Sequence, residues 1–535
     1  MTLIRNHWSR NMIFFIVVLI IIVLAGAAVL WLRPSASKAV TVPPGAKAGD
    51  VFLEPCMVTI NKAEYAADCG TLVVPEYRGD PAARLIALPV QRIHSPAKNP
   101  AEPLFYLSGG PGTSNMSANP PVWLLDNHDY VKVGYRGVDG TPKLDCPDFA
   151  EASRGIGNDL LSPESLDAVG KAAAACAAKL QAGGVDLRGY TIPEVVDDME
   201  AARTGLGYEH INLLSESYGT RVAQIYAYMH PQSLRRSAMI GVNPPGHFLW
   251  LPADVDAQVE YYAALCRKDP ACGARMPDLA ASMRSVNRSM PASWMGVPIN
   301  PGKVRLMAFV LLYHRSTAPI VFDAYRAADS GDPSGLALMS TAYDLMMPNM
   351  MTWGEFMALG ASADLEPGRD YRSEVSGTDV ILGAPFSEFI WGTAPGNWPP
   401  ILMADEYRNV NPSDVESLLV SGSVDFSTPA QFAEQELLPS LTKGKHVIIA
   451  EQGHVQDFWS FQPEARERLL TSFFDTGTAD DSLYTYLPMD LKPAMSFPLL
   501  AKILLGMGLL LILALGFAVW RILRRIRRGQ PAVKK

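Results

Sequence analysis

An apolar strand that runs into a tight turn and out into a helix constrains this chain more than any other stretch. It is Ile211-Asn212-Leu213-Leu214-Ser215-Glu216-Ser217-Tyr218-Gly219-Thr220. In a turn of this kind the positions two before and two after the central serine must be small, a condition that Ser215 and Gly219 meet. Ser217 is therefore the candidate nucleophile. The neighbouring register fits worse, because a nucleophile at Ser215 would need a small residue where Leu213 stands. One small-x-Ser-x-Gly match also arises by chance where a strand meets a helix, so its weight depends on the rest of the chain.

Two long apolar runs bracket that stretch. Met12 to Leu32 is uninterrupted, long enough at about 1.5 Å per residue to cross a hydrocarbon core of about 30 Å. The alternative is a cleaved signal peptide, whose apolar region is usually shorter, about 7 to 15 residues. A second run, Ile503 to Trp520, is followed by Arg521, Arg524, Arg525, Arg527, Arg528, Lys534 and Lys535. That basic cluster predicts a cytoplasmic C-terminus, and Arg5 and Arg10 predict the same for the N-terminus. The chain is thus expected in the cell (inner) membrane, held in the bilayer by two helices, with Arg33 to about Leu500 on the periplasmic or extracellular side. The tail could also grip anionic lipid, but a topology signal is the simpler reading.

All six cysteines fall in the external part: Cys56, Cys69, Cys146, Cys176, Cys266 and Cys272. An even count in an exported domain favours disulfides, and sequence neighbours suggest the pairs 56 with 69, 146 with 176 and 266 with 272. Spacing alone cannot choose among the connectivities, and free buried thiols are the alternative. No pair has zinc-ligand spacing with histidines nearby, so no metal is expected. The net charge of −8 over 535 residues offers no basic face for nucleic acid. Asn115-Met116-Ser117 and Asn287-Arg288-Ser289 match the glycosylation sequon.

Residues 34–50 are rich in Pro, Ala, Gly and Ser and suit a tether. Strand-like runs follow at Gly70–Pro75, Leu85–Val90 and Pro103–Leu107, the last feeding Ser108-Gly109-Gly110-Pro111-Gly112. Such a loop offers backbone N–H groups unshielded by side chains, which can close on an oxyanion, although a lone glycine-rich loop is more often a turn. Another strand is expected over Tyr130–Gly134. Val195, Val196, Met199, Ala202 and Leu206 predict an amphipathic helix leading into the Ser217 strand. A helix over Arg221–Met229 and a strand over Ser237–Val242 come next, and this alternation implies an open, mostly parallel sheet.

From His247 to Trp398 helical segments dominate and methionines cluster (Met339, Met346, Met347, Met350, Met351 and Met357). A cap over the site is expected, its methionines lining a pocket or filling core. The sheet resumes at Val415–Gly422, followed by Ser423-Val424-Asp425 and a helix from Ala430. The strand His446–Ala450 then ends in Gly453-His454. Asp425 and His454 each sit just past a strand's end, at the edge where Ser217 lies. Their chain order, Ser then Asp then His, is one that this geometry uses. His446 begins a strand and Asp405 lacks the turn signature, so both are weaker candidates. These signals divide the chain into an N-terminal tip and span (1–33), a linker (34–50), a first core part (51–246), a cap (247–398), a second core part (399–496), a second span (497–522) and a basic cytoplasmic tail (523–535).

Ordered matches from Cys56 to His454 resemble the α/β-hydrolase family of proline iminopeptidases and, more closely, secreted bacterial tripeptidyl aminopeptidases. Cys69 to Pro75 resembles the family's opening strand, Ser108 to Gly112 its His-Gly-Gly-Pro-Gly loop, and Arg136-Gly137 its Asp-x-Arg-Gly segment. Ser215 to Thr220 resembles the Gly-x-Ser-Tyr-Gly-Thr elbow, Gly422 to Pro429 the segment carrying the acid, and Gly453-His454 the end carrying the base. The resemblance implies an α/β-hydrolase fold with an inserted helical cap and a catalytic triad of Ser217, Asp425 and His454 needing no cofactor; the transmembrane helix expected at each end is unlike the freely secreted members. Departures from the family pattern are Ser108 for histidine, Gly134 for aspartate and Ser215 for glycine.

On this reading His454 takes the Ser217 proton, Asp425 holds the imidazole, and the N–H groups of Tyr218 and Gly110 bind the oxyanion. The expected substrate is a peptide or small ester. For an aminopeptidase, Glu216 and Glu355 are candidates to hold the substrate's ammonium. Two other readings stay open: a non-catalytic subunit with a membrane-complex partner, and an esterase or lipid-directed hydrolase.

Overall fold

The computed structural model describes residues 40–528 apart from Thr378. The expected span Met12–Leu32 with Arg5 and Arg10, residues 34–39 of the linker, and Lys534 and Lys535 of the tail lie outside the described residues. Eleven strands are described: β1 Val51–Ile60, β2 Ala63–Pro75, β3 Leu85–Ile93, β4 Ala101–Leu107, β5 His128–Val133, β6 Ile211–Glu216, β7 Leu234–Ile240, β8 Ser293–Trp294, β9 Val297–Pro298, β10 Glu416–Gly422 and β11 Gly444–Ile449. β8 and β9 form a two-residue hairpin of their own. The other nine make one sheet in the order β1-β2-β3-β5-β4-β6-β7-β10-β11.

β1, β2 and β3 pair antiparallel, and β3 pairs antiparallel with β5. From β5 to β11 every pairing is parallel. After β4 the chain moves to β5 on one flank, then returns to add β6 on the other. The strand order therefore reverses at β4, which opens a crevice outside the carboxyl ends of β4 and β6.

Alternation along each central strand supplies two cores. Phe105, Leu107 and Leu213 face one side, where they pack with Val169, Val196, Met199 and Val222 of the helices Pro163–Ala182, Ile192–Gly205 and Gly219–Met229. Leu104, Tyr106 and Leu214 face the other side, with Leu469, Leu470, Phe473 and Phe474 of helix Pro463–Thr476. Pro163 and Ser162 start the first of these helices, the Ser162 side chain accepting from Ser165 N.

β1 was not expected. Its burial alternates, it leaves Phe52 and Met57 exposed, and it carries Pro55 and Glu54, all features of an edge strand. The Cys56–Cys69 disulfide ties it to β2. The other two disulfides join Cys146 to Cys176 and Cys266 to Cys272.

Between β7 and β10 the chain is mostly helical, with segments including Pro252–Lys268, Pro301–Leu311, Ala318–Asp329, Ser334–Met346, Trp353–Asp364 and Pro385–Trp391. Trp353–Asp364 is buried along its whole length. Of the clustered methionines, Met339, Met347 and Met357 are core residues, while Met346 and Met350 are exposed.

Among the described residues, those up to Phe497 form one compact unit, and the C-terminal segment belongs to a second. The latter is described as helix Phe497–Arg528. Its stretch Phe497–Arg521, which contains 18 successive residues of mean hydropathy 2.6, is long and apolar enough to cross a membrane.

Candidate active site

Parallel pairing brings the carboxyl ends of β4, β6, β7, β10 and β11 to one edge, and the loop after each contributes to a single site. Ser217 follows β6 with φ of +50°, a strained conformation for a residue other than glycine. Ser217 N donates to Ile240 O at 2.8 Å, which pins the turn to β7. Gly219 is required sterically, since a Cβ there would meet Leu107 O at 2.4 Å and Ser108 O at 2.5 Å. At the opposite small position, Ser215 is accommodated because its hydroxyl donates to Ala238 O at 3.1 Å.

The loop after β11 carries His454, 7% exposed. Its Nε2 lies 2.8 Å from Ser217 Oγ. Its Nδ1 lies 2.8 Å and 3.0 Å from the two carboxylate oxygens of Asp425, in the loop after β10. Asp425 is 1% exposed and accepts from Ser427 N at 2.9 Å, Thr428 N at 2.8 Å and Thr428 Oγ1 at 2.9 Å. These three donors orient the carboxylate. Facing it, Nδ1 carries the imidazole proton, which leaves Nε2 to accept from the serine hydroxyl. The histidine is fixed from two other sides. His454 N donates to Tyr313 O at 2.6 Å, and the Tyr313 ring meets the imidazole edge-to-face at 5.4 Å. A Cβ on Gly241, just past β7, would lie 2.9 Å from His454 Cε1.

A cavity of about 310 Å³ opens over these groups. Gly109, Gly110, Thr113, Glu216 and Val455 line it, as do Tyr218, Phe248, Trp250, Tyr313, Met351, Phe356 and Phe386, which make much of the wall aromatic. Among the described residues, neither Gly110 N nor Tyr218 N has a hydrogen-bond partner. Gly109 packs against the nucleophile, as a Cβ there would meet Ser217 Cβ at 2.8 Å.

The structure separates the two candidate carboxylates. Glu216 lines the cavity beside Ser217, its oxygens accepting from Tyr106 Oη and Trp459 Nε1. Burial pushes its carboxyl up, while those two donors and the nearby His454 act the other way. Glu355 does not line the cavity. It is 1% exposed and accepts from Gly112 N instead, because the helix Trp353–Asp364 points its first turn at the glycine-rich loop. His446 lies on β11 against Ser421, and Asp405 sits in a surface turn; neither reaches the cavity.

Two of the three departures from the family pattern, Ser215 and Gly134, have local accounts, and at Ser108 the backbone is what is held. Ser108 N donates to Asn115 Oδ1 at 2.7 Å, and the Asn115 amide donates to Tyr106 O and Val133 O. Asn115 thus braces the loop from the core, and its burial keeps the acceptor asparagine of the first sequon inside the fold. At Gly134 there is no room for an aspartate, since a Cβ would meet Asp139 Cβ and Pro89 Cδ, each at 2.6 Å. Asp139 instead accepts from Ser114 Oγ, Asn115 N and Tyr135 N. Arg136 is buried away from the cavity, paired with Asp198 and donating to Glu76 O and Gly189 O.

A roomier cleft of about 520 Å³ opens at the amino ends of the strands, lined by residues such as His210, Leu234 and Glu416, and holds none of the three linked side chains. The serine turn, the strand order and the crevice agree with one further finding, that residues 102–270 match the family described as alpha/beta hydrolase fold. The chain carries an alpha/beta hydrolase fold. This hydrolase-fold chain is 28% identical over 245 residues to tripeptidyl aminopeptidases of Streptomyces coelicolor and Streptomyces lividans, covering 43% of the chain and 45% of each relative. It therefore spans about half the length of the curated relatives it matches. Among solved structures it is similar to the proline iminopeptidase of Mycobacterium smegmatis, at 17% identity over 76% of this chain and 97% of that one, with a TM-score of 0.34. A serine hydrolase of Cycloclasticus zankles is similar at 13% identity over 77% of this chain and 100% of that one, with a TM-score of 0.35.

Proposed function

We propose that this chain is a serine hydrolase that acts through an acyl-enzyme and releases residues or short peptides from the free N-termini of peptides. The observation that carries the reading is the unbroken hydrogen-bonded path from Ser217 Oγ through His454 to Asp425 at the floor of a cavity. Ser217 attacks the substrate carbonyl as its proton passes to His454 Nε2, and Asp425 stabilises the imidazolium that forms. Gly110 N and Tyr218 N donate to the oxyanion. The imidazolium then protonates the leaving amine, and water repeats the route to free the acyl group. Glu216, at the cavity wall, is the anion for the substrate's ammonium. The similarity to tripeptidyl aminopeptidases supports peptides as the substrate class. The three disulfides and the apolar terminal helix support a domain held outside the cytoplasm by membrane anchors.

Labelling of the detergent-solubilised protein with a fluorophosphonate probe tests the nucleophile. Labelling of wild type that is lost in Ser217→Ala is expected. Failure of the folded wild type to label would favour a non-catalytic subunit of a membrane complex. The aromatic walls of Phe248, Trp250, Phe356 and Phe386 would also suit an acyl chain, which is the observation behind an esterase reading. Comparing free-amine peptides, blocked peptides and esters of matched size separates the two. Glu216→Gln is expected to raise KM for free-amine peptides about tenfold or more while sparing esters; an unchanged preference would remove Glu216 from the site.

A further inference from the structure

The glycine-rich loop that holds Gly110 is gripped at Gly112 by the insertion rather than by the sheet. Gly112 N donates to Glu355 Oε2, and Thr352 N donates back to Gly112 O at 2.8 Å. Both partners belong to the start of one buried helix, with Thr352 at its N-cap and Glu355 in its first turn. Gly112 adopts φ of +80°, and a Cβ on it would meet Met351 Cβ and Phe356 Cβ, each at 3.1 Å. The loop is therefore clasped between Asn115 on the core side and Glu355 on the insertion side. Only Pro111 separates the clasped residue from Gly110.

We infer that Glu355 is a positioning residue, which aims the Gly110 N–H at the oxyanion by holding Gly112 against the cap helix. This rests on the serine-hydrolase reading given above. The carboxyl is absent from the cavity lining and bonds to Gly112 N; it acts through the backbone of the loop. Because an oxyanion donor is used chiefly in the transition state, letting it drift lowers kcat and leaves KM nearly unchanged. A cap that swings away would also pull the donor out of place, so the cap's seating and the site's competence are coupled through one hydrogen-bonded pair.

The test compares Glu355→Leu, which removes the acceptor, with Glu355→Gln, which keeps one. Thr352→Pro removes the reciprocal N–H. Each is assayed on a free-amine tripeptide anilide and a nitrophenyl ester, with kcat expressed per site titrated to completion by the fluorophosphonate. Expected are a fall in kcat of about tenfold or more for Glu355→Leu and Thr352→Pro with KM within about twofold, and near wild-type kcat for Glu355→Gln. A kcat per titrated site within about twofold of wild type in Glu355→Leu, or an effect carried by KM, would overturn the inference. Should that variant not fold, Thr352→Pro decides by the same criteria. A wild type inert to the probe and to both substrates would instead sink the catalytic reading, and this inference with it.

Discussion

Asp425 is the residue on which the geometry of the site turns, because both its carboxylate oxygens face His454 Nδ1. Asp425→Asn keeps an oxygen for Ser427 N and Thr428 N but can present an N–H to the imidazole, which favours the wrong tautomer. A fall in kcat of about 10³-fold or more is expected, with binding little changed, as steady-state kinetics would show. Gly241→Ala is expected to disturb the same histidine from the other side, since its Cβ would press on His454 and the backbone there has φ of +64°. A kcat loss of about tenfold with the fluorophosphonate site still titratable would bear this out. Glu355 gives a pH signature. Burial raises its carboxyl from 4.5 to about 8, the charge of Asp139 adding to the effect and the Gly112 N–H opposing it. Tyr135 and Tyr218 also face it. The folded state therefore keeps a proton that the unfolded chain has released between those values, and stability must fall as pH rises through that window. Thermal melts from about pH 5 to about pH 8 should show a steeper decline in wild type than in Glu355→Gln; parallel curves would contradict the assignment.

At the scale of elements, what could be read in the chain and what could not divide along the range of the interactions. The β6 turn, the loop after β4 and the strand ends before Asp425 and His454 announce themselves locally, because tight turns demand small residues at fixed offsets. β1 did not, since Pro55 and Glu54 interrupt its pattern and its strand character comes from pairing with β2. The helix Pro163–Ala182 was not expected either, although Ser162 and Pro163 are a local start signal. Glu355 read as a possible substrate anchor because its partner, Gly112, lies 243 residues away; no local pattern encodes that distance. The same holds for Arg136, whose partner Asp198 is 62 residues on. The disulfides make a prediction at this scale. Cys146–Cys176 closes the longest segment, 30 residues, against 13 and 6 for the others. Replacing both its cysteines with alanine is expected to cost about 2–4 kcal/mol in denaturant unfolding, and replacing Cys266 and Cys272 least; a reversed order would refute the loop-entropy account.

For the whole molecule, the unit ending at Phe497 contains every residue of the candidate site and both cores. A chain from residue 40 to Phe497 is expected to remain soluble without detergent and to label with the probe as the full chain does. Loss of labelling in a folded fragment would mean that the terminal segments contribute to the site. The same layout sets an order of events as the chain is made. Ser217 is made early, but His454 follows only 237 residues later, in the loop after β11, the last strand in chain order. A growing chain therefore carries Ser217 without its histidine partner for 237 residues, past Cys266 and Cys272, and the three side chains come together only once the loop after β11 is made. On the serine-hydrolase reading, an unfinished chain is harmless while it is being built.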